Sequence, residues 1–204
     1  WAERYKAPLR AALAEMGCDM VEVNQTEMYT SGAYREQVLT AIRERGEIES
    51  VMAQFRTKKT DDAPADDEGS AEGDLARFPY KPYCRGCGRD TVTLTSYDDE
   101  TTDLAYTCDA CGDSYVTNVA TQNEGKLVWK VDWPMRWTYE DVHFEPGGVD
   151  HASPGSSYTV GKAIVGPVFG GSAPSFVGYS FVGVAGMPKM SSSKGGVPTA
   201  AEAL

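Results

Sequence analysis

The chain has 204 residues, 41% of them hydrophobic and 24% charged, which suffices for one core with a small satellite module and is ordinary for a globular fold. Its uninterrupted apolar runs are a few residues long, far short of the ~20 that span a bilayer, and a formal charge of −11 argues against nucleic-acid binding through bulk electrostatics. Much of that charge is local: Asp61, Asp62, Asp66, Asp67, Glu68, Glu72 and Asp74 lie in one short run, and without them acids and bases nearly balance.

Trp1, Tyr5, Leu9, Leu13 and Met16 recur at helical spacing, and Gly17 follows in the position of a C-cap glycine, so residues 1–16 read as an amphipathic helix. The opening has no initiator Met, basic n-region or apolar h-region, and it reads as the middle of a helix. The expectation is a fragment of something longer. Residues 19–23 alternate as a strand would, and Tyr34, Val38, Ile42, Ile48, Val51, Met52 and Phe55 resume a helical period, interrupted near Gly46. Residues 1–57 therefore read as part of an α/β layer rather than a closed domain. Residues 58–77 read as a flexible acidic linker, because the run KKTDDAPADDEGSAEGD offers no large apolar side chain to offset the entropy of ordering.

Cys84-x-x-Cys87 and Cys108-x-x-Cys111 are each followed by glycine, and the residues between them hold two strand-like runs around the turn Asp98-Asp99-Glu100. A C-x-x-C turn brings two thiolates to one ion, so two such turns predict a tetrahedral Zn²⁺ site in a zinc ribbon over residues 78–120. With all four positions filled by Cys the metal is expected to be structural, and chelation to unfold 78–120 without melting the rest. Such a site points to a reducing compartment and a cytoplasmic location. Cys18 is left over and reads as a small core residue. Lys81, Arg85 and Arg89 form a thin basic patch that a solvated surface explains as well as RNA contact does.

Residues 126–133, KLVWKVDW, read as a buried strand. Residues 154–169 read as a helix opening at Pro154 with Ser153 as N-cap, its second half weakened by Gly161, Gly166 and Pro167. Residues 176–184, FVGYSFVGV, read as a second buried strand, followed by the glycine-bounded loop GMPKMSSSKGG and by the capping-box pattern of Thr199 and Glu202. Strand, crossover helix and strand predict a βαβ unit of a parallel sheet, with ligands at the carboxyl ends of its strands.

Three segments together, GKLVWKVDWPMRW (125–137), FEPGGVDHASPGSSY (144–158) and KMSSSKG (189–195), with the four-cysteine module upstream, resemble the class I lysyl-tRNA synthetases. The likeness extends over nearly the whole chain and includes YTSGAYREQVLTAI and KPYCRGCGRD. The resemblance implies a Rossmann-type catalytic domain, formed by residues 1–57 and 121–204 and interrupted by the zinc-bearing insertion, acting on lysine, ATP with Mg²⁺ and tRNA(Lys) away from any membrane. KMSSS matches the signature loop of class I enzymes with Ser192 in place of its second lysine. By that match Lys189 neutralises charge on the phosphates, and Met190, Ser191, Ser192 and Ser193 complete the nucleotide loop. Gly148, Asp150 and His151 fit the G-x-D-H element placed beside the ribose and the amino acid. Trp133, Asp150, His151 and Tyr179 are implied to form the lysine pocket.

Two departures shape the expectation. Ser180 stands where many members carry a glutamate after the pocket tyrosine, which leaves Asp150 and Asp132 as candidate carboxylates for the lysine ammonium. The H-x-G-H/N element of class I enzymes is absent, since the two histidines, His143 and His151, do not fit it. The chain is thus expected to be the central part of such an enzyme, inactive alone. The alternatives are a degenerate paralogue, or a zinc-ribbon RNA-binding module that would need neither the KMSSS loop nor the tryptophan-rich segment.

Overall fold

The structure is a computed structural model that describes residues 2–56, 74–180 and 183. The chain divides into two compact units, residues 1–24 with 180–204, and residues 25–179. In the first, α1 (Ala2–Glu15) ends as its sequence predicts: the Gly17 and Cys18 N–H groups return to the Ala14 and Leu13 carbonyls, satisfying the last turn. The strand expected at 19–23 is not formed. Among the described residues they carry no ladder, Val21 is 94% exposed, and Glu22 instead accepts from Lys6 and Arg10 of α1. Alternation alone does not make a strand where no partner backbone pairs with it.

The second unit begins with α2 (Gln25–Thr30), α3 (Arg35–Arg43) and α4 (Arg45–Arg56). The interruption expected near Gly46 falls at Glu44, where the Arg45 guanidinium donates to the Ile42 carbonyl and so covers the end of α3. Val38, Ala41 and Ile42 of α3, with Ile48 and Val51 of α4, supply one wall of the core. The last residues of the expected linker, Asp74–Arg77, form a single 3₁₀ turn.

Residues 80–127 make a closed excursion. Its neck is the antiparallel pair β1 (Tyr80–Pro82) and β5 (Gly125–Leu127), with Tyr80 opposite Leu127. Beyond it, β2 (Val92–Tyr97), β3 (Asp103–Cys108) and β4 (Ser114–Asn118) form an antiparallel meander with an irregularity between Leu94 and Ser96. One end of this meander belongs to the helical core: Leu104 and Val119 are buried in the same cluster as Ile42, Ile48, Val131 and Ile164. The β2–β3 turn is tied to α4 by the Arg45–Asp99 ion pair at 2.6 Å, with Arg45 also lying over the Tyr97 ring.

The buried strand expected at 126–133 is corrected. The strand ends at Leu127, Val128 is the extended N-cap, and α5 (Trp129–Tyr139) follows at once, with Pro134 inside it. The strand of the parallel unit is instead β6 (Phe144–Gly148), paired in parallel with β7 (Ser175–Tyr179) through a crossover that carries α6 (Ser157–Phe169). The crossover helix thus lies within the expected span, but its start differs. Pro154 and Gly155 form a turn closed by the Ser156 N–H on the Ser153 carbonyl, so Ser156 takes the N-cap place. Gly161 and Pro167 do not end α6. Gly161 is where α5 crosses it: a Cβ there would lie 2.9 Å from the Trp137 ring, so only glycine allows this approach. Of the strand expected at 176–184, β7 forms the part up to Tyr179 with Val177 and Tyr179 exposed, Ser180 does not continue it, and residues 181, 182 and 184 lie outside the described residues. The KMSSS loop and the Thr199–Glu202 capping box lie outside the described residues.

Candidate active site and metal centre

The four cysteine sulfurs converge. Cys84, Cys87, Cys108 and Cys111 have their Sγ atoms within 4.8 Å of one another, and Cys84–Cys111 and Cys87–Cys108 are each 3.6 Å apart. That separation is far above the ~2.05 Å of a disulfide and close to the ~3.8 Å edge of a tetrahedron with ~2.3 Å metal–sulfur bonds. Two equivalent turns create the geometry: the Gly88 and Gly112 N–H groups return to the Cys84 and Cys108 carbonyls, and both glycines take positive φ (73° and 79°), which a side chain would resist. The Cys111 backbone N–H, aimed at Cys108, is the main cause that holds that thiol down to about 7. Cys111 is pushed up to about 12 and Cys87 is raised, so without an ion the cluster favours a thiolate at Cys108 and not at Cys87 or Cys111. Cys84 and Cys108 are buried against Tyr106, whose hydroxyl accepts from the Arg85 N–H, while Cys87 and Cys111 are exposed. These four residues could hold a metal ion. Cys18 is exposed, so it is not the core residue its composition suggested.

At the other end of the unit, Gly148 lies opposite Tyr179 where β6 and β7 end, and the 3₁₀ turn Val149–Ala152 carries Asp150 and His151 directly beyond them. Four of the residues singled out in the sequence are therefore together at the carboxyl ends of two parallel strands. Asp150 is exposed, and its carboxylate folds back over Gly148, where a Cβ would collide with it. Trp133 meets the His151 ring edge-on at 5.8 Å. It is only 7% exposed and packs with Trp137 and Val165, so it is the back wall of this region rather than its open face.

The residue that sequence reading missed is Trp129. It is 48% exposed, stacks on Trp133 at 5.1 Å with the rings 20° apart, and donates from Nε1 to Ser157 Oγ at 3.0 Å. The signal was present: Trp129, Trp133 and Trp137 are spaced i, i+4, i+8, and on a helix residues four apart are near neighbours whose rings can touch, as Trp129–Trp133 and Trp133–Trp137 do. Aromatic contacts continue from Trp137 to Tyr158 at 5.4 Å and from Tyr158 to Phe176 of β7 at 4.4 Å, so the strand and the helix are joined by one ring system.

Asp132, a candidate for the substrate ammonium, is already engaged. It accepts from the Tyr29 hydroxyl at 2.5 Å and lies 3.3 Å from Arg136 Nε. Burial pushes its carboxyl above the usual carboxylate range, and the Tyr29 bond and Arg136 pull the other way. Burial likewise raises the Tyr29 hydroxyl, with Asp132 adding to the effect. A cavity of about 750 Å³ opens beside this pair, lined by Met52, Phe55, Phe78, Lys126, Trp129 and Asp132 among others; its lining does not include Asp150, His151 or Tyr179.

A mixed α/β chain with a parallel strand crossover, site residues at the strand ends and a four-cysteine cluster has the makings of a class I synthetase. The chain belongs to that family: the family model described as tRNA synthetases class I (K) matches residues 1–204. Its relatives include a lysine–tRNA ligase of Streptomyces coelicolor, 52% identical over 223 aligned positions that take in 100% of this chain. Lysine–tRNA ligases of Borreliella burgdorferi and Thermococcus kodakarensis are each 35% identical, over 91% and 97% of the chain. The chain spans 38%, 33% and 35% of the length of these three relatives.

Proposed function

We propose that this chain is the central part of a lysine–tRNA ligase. In the first half-reaction the carboxylate of lysine attacks the α-phosphate of ATP and pyrophosphate leaves; in the second the terminal ribose hydroxyl of tRNA(Lys) takes the lysyl group and AMP leaves. What carries the reading is the meeting of Gly148, Asp150, His151 and Tyr179 at the carboxyl ends of β6 and β7, the place where parallel α/β sheets bind ligands, in a chain matched by the family over its full length. Gly148, Asp150 and His151 serve the nucleotide and the amino acid. Trp133, His151 and Tyr179 enclose the lysine side chain, whose apolar stem suits aromatic faces and whose ammonium suits Asp150. Asp132 is occupied by Tyr29 and Arg136, which leaves exposed Asp150 the better partner for the ammonium. Lys189, with Met190, Ser191, Ser192 and Ser193, covers the phosphates of ATP, which carries Mg²⁺ as part of the substrate. A charge-assisted contact made only in the transition state contributes about 1.5–3 kcal/mol, or roughly ten- to over a hundredfold in rate.

The parallel crossover supports a Rossmann-type domain made by residues 1–57 and 121–204, and the β2–β3–β4 meander with its four cysteines supports a zinc-ribbon insertion at 78–120, reached through the acidic segment 58–77. Cys84, Cys87, Cys108 and Cys111 hold Zn²⁺ as a structural ion. Bound there, it ties the two C-x-x-C turns together and leaves no position open for chemistry. Thiolate ligation of this kind fits the cytoplasm, where translation takes place.

Lysine-dependent ATP–pyrophosphate exchange and lysylation of tRNA(Lys) by the full-length protein test the assignment. His151→Ala and Lys189→Ala should each lower exchange at least tenfold. Exchange that persists in both variants, or a full-length protein that exchanges with another amino acid in preference to lysine, overturns it.

A further inference from the structure

Trp129 presents a problem of order. It stands on the first turn of α5 with half of its surface in solvent, where no preceding helical turn confines its rotamers, yet it lies nearly parallel to Trp133. The single hydrogen bond to Ser157 fixes one atom of the indole and leaves the ring free to tilt about it. A second restraint comes from Arg136, whose guanidinium carbon is 5.4 Å from the centre of the Trp129 ring.

Arg136 is itself held in an unusual way. Its Nε is buried and meets no acceptor in hydrogen-bond alignment, although Asp132 Oδ2 is 3.3 Å away. Attraction to the Asp132 charge and to the indole face, rather than an aligned hydrogen bond from Nε, holds this side of the guanidinium. Asp132 in turn cannot swing, because its other oxygen accepts from Tyr29. Tyr29 is anchored on three sides: it is buried in the main core, its ring meets Tyr34 edge-on at 5.0 Å, and its oxygen accepts the Leu127 N–H at 3.2 Å. A continuous chain runs from α2 through Tyr29, Asp132 and Arg136 to Trp129, and it returns to the backbone two residues before Trp129 itself.

We propose that Tyr29 and Asp132 are positioning residues: through Arg136 they hold the Trp129 indole flat against Trp133, and the resulting double-indole wall sets the affinity for the substrate's aliphatic side chain. The second clause rests on the lysine-pocket reading given above, whereas the first stands on the geometry alone. Neither residue belongs to the group Gly148, Asp150, His151 and Tyr179 at the strand ends. A pair that merely stabilised the helix contact would affect folding without changing the coupling between the two indoles or the selectivity of the loss.

The test uses the full-length protein and two readouts. The exciton signal of stacked indoles in circular dichroism reports the Trp129–Trp133 geometry, with Trp129→Phe as the reference that abolishes this pair's part. Steady-state exchange kinetics separate KM for lysine from kcat and from KM for ATP. Asp132→Asn, and the milder Tyr29→Phe that keeps the ring in the core, should each remove at least half of the Trp129-dependent signal. Each should raise KM for lysine about three- to thirtyfold, the range a lost cation–π restraint would produce, while kcat and KM for ATP stay within twofold. A Trp129-dependent signal equal to the parent's in folded Tyr29→Phe overturns the positioning chain, whatever the kinetics. Equal rises in KM for lysine and for ATP, with the signal lost, overturn the claim on lysine affinity. A lost signal with unchanged KM for lysine leaves the chain standing and sinks the lysine pocket.

Discussion

Replacing Gly161 with alanine sets two effects of known sign against each other. Alanine favours a helix interior over glycine by about 1 kcal/mol, so on propensity alone the change stabilises α6. The new methyl, however, would sit 2.9 Å from Trp137 Cη2, 3.1 Å from Cζ3 and 3.4 Å from Pro134 Cδ. The indole cannot yield cheaply: it is 2% exposed, donates from Nε1 to Glu145 at 3.1 Å, and packs against Trp133 and Tyr158. Overpacking of this kind costs about 1–3 kcal/mol, and since Pro134 crowds the same point the upper half of that range applies. The net expectation is destabilisation by about 1–2 kcal/mol, a fall in Tm of roughly 2–8 °C for a chain of this size. Urea unfolding of parent and variant measures it. A variant as stable as the parent, or more stable, would refute the claim that glycine is required by the α5–α6 approach.

Metal removal should act on one end of the cysteine module first. After chelation, amide exchange should accelerate over 84–92 and 106–115, where the Cys84, Tyr106 and Cys108 cluster depends on the ion, while Val38, Ile42 and Ile48 keep their protection. Simultaneous loss at all of these positions would show that the metal holds the entire unit. Asp132→Asn should change the pH dependence of stability in a defined direction. Burial raises the folded-state carboxyl of Asp132, so its contribution is fully present below the ordinary Asp value near ~3.9 and is lost as pH rises through the raised one. The stability of the parent relative to the variant should therefore decline with rising pH over that window; a gap that widens with pH contradicts the buried-carboxylate account.

Several features were legible in the linear sequence because their causes are local. The end of α1 at Gly17 needs only a glycine and two returning N–H groups, and the cysteine turns need only the C-x-x-C-G spacing, so both could be read without knowing what packs where. The clustering of Gly148, Asp150, His151 and Tyr179 followed from the family resemblance and from the rule that parallel strands carry ligands at their carboxyl ends. Tertiary structure alone decided the rest. The segment around Trp129 has a short β-rich opening and a proline, so strand and helix compete locally. Helix wins because it brings Trp137 onto Gly161, Trp133 and Trp137 onto Val165, and Trp129 onto Ser157 of α6. The alternation at 19–23 forms no strand among the described residues, because pairing requires a second backbone, which no pattern within five residues can supply. Likewise the Tyr29–Asp132 bond joins residues 103 apart in sequence. Its existence depends on burial of both groups against α2 and β5, a property of the assembled core rather than of either segment.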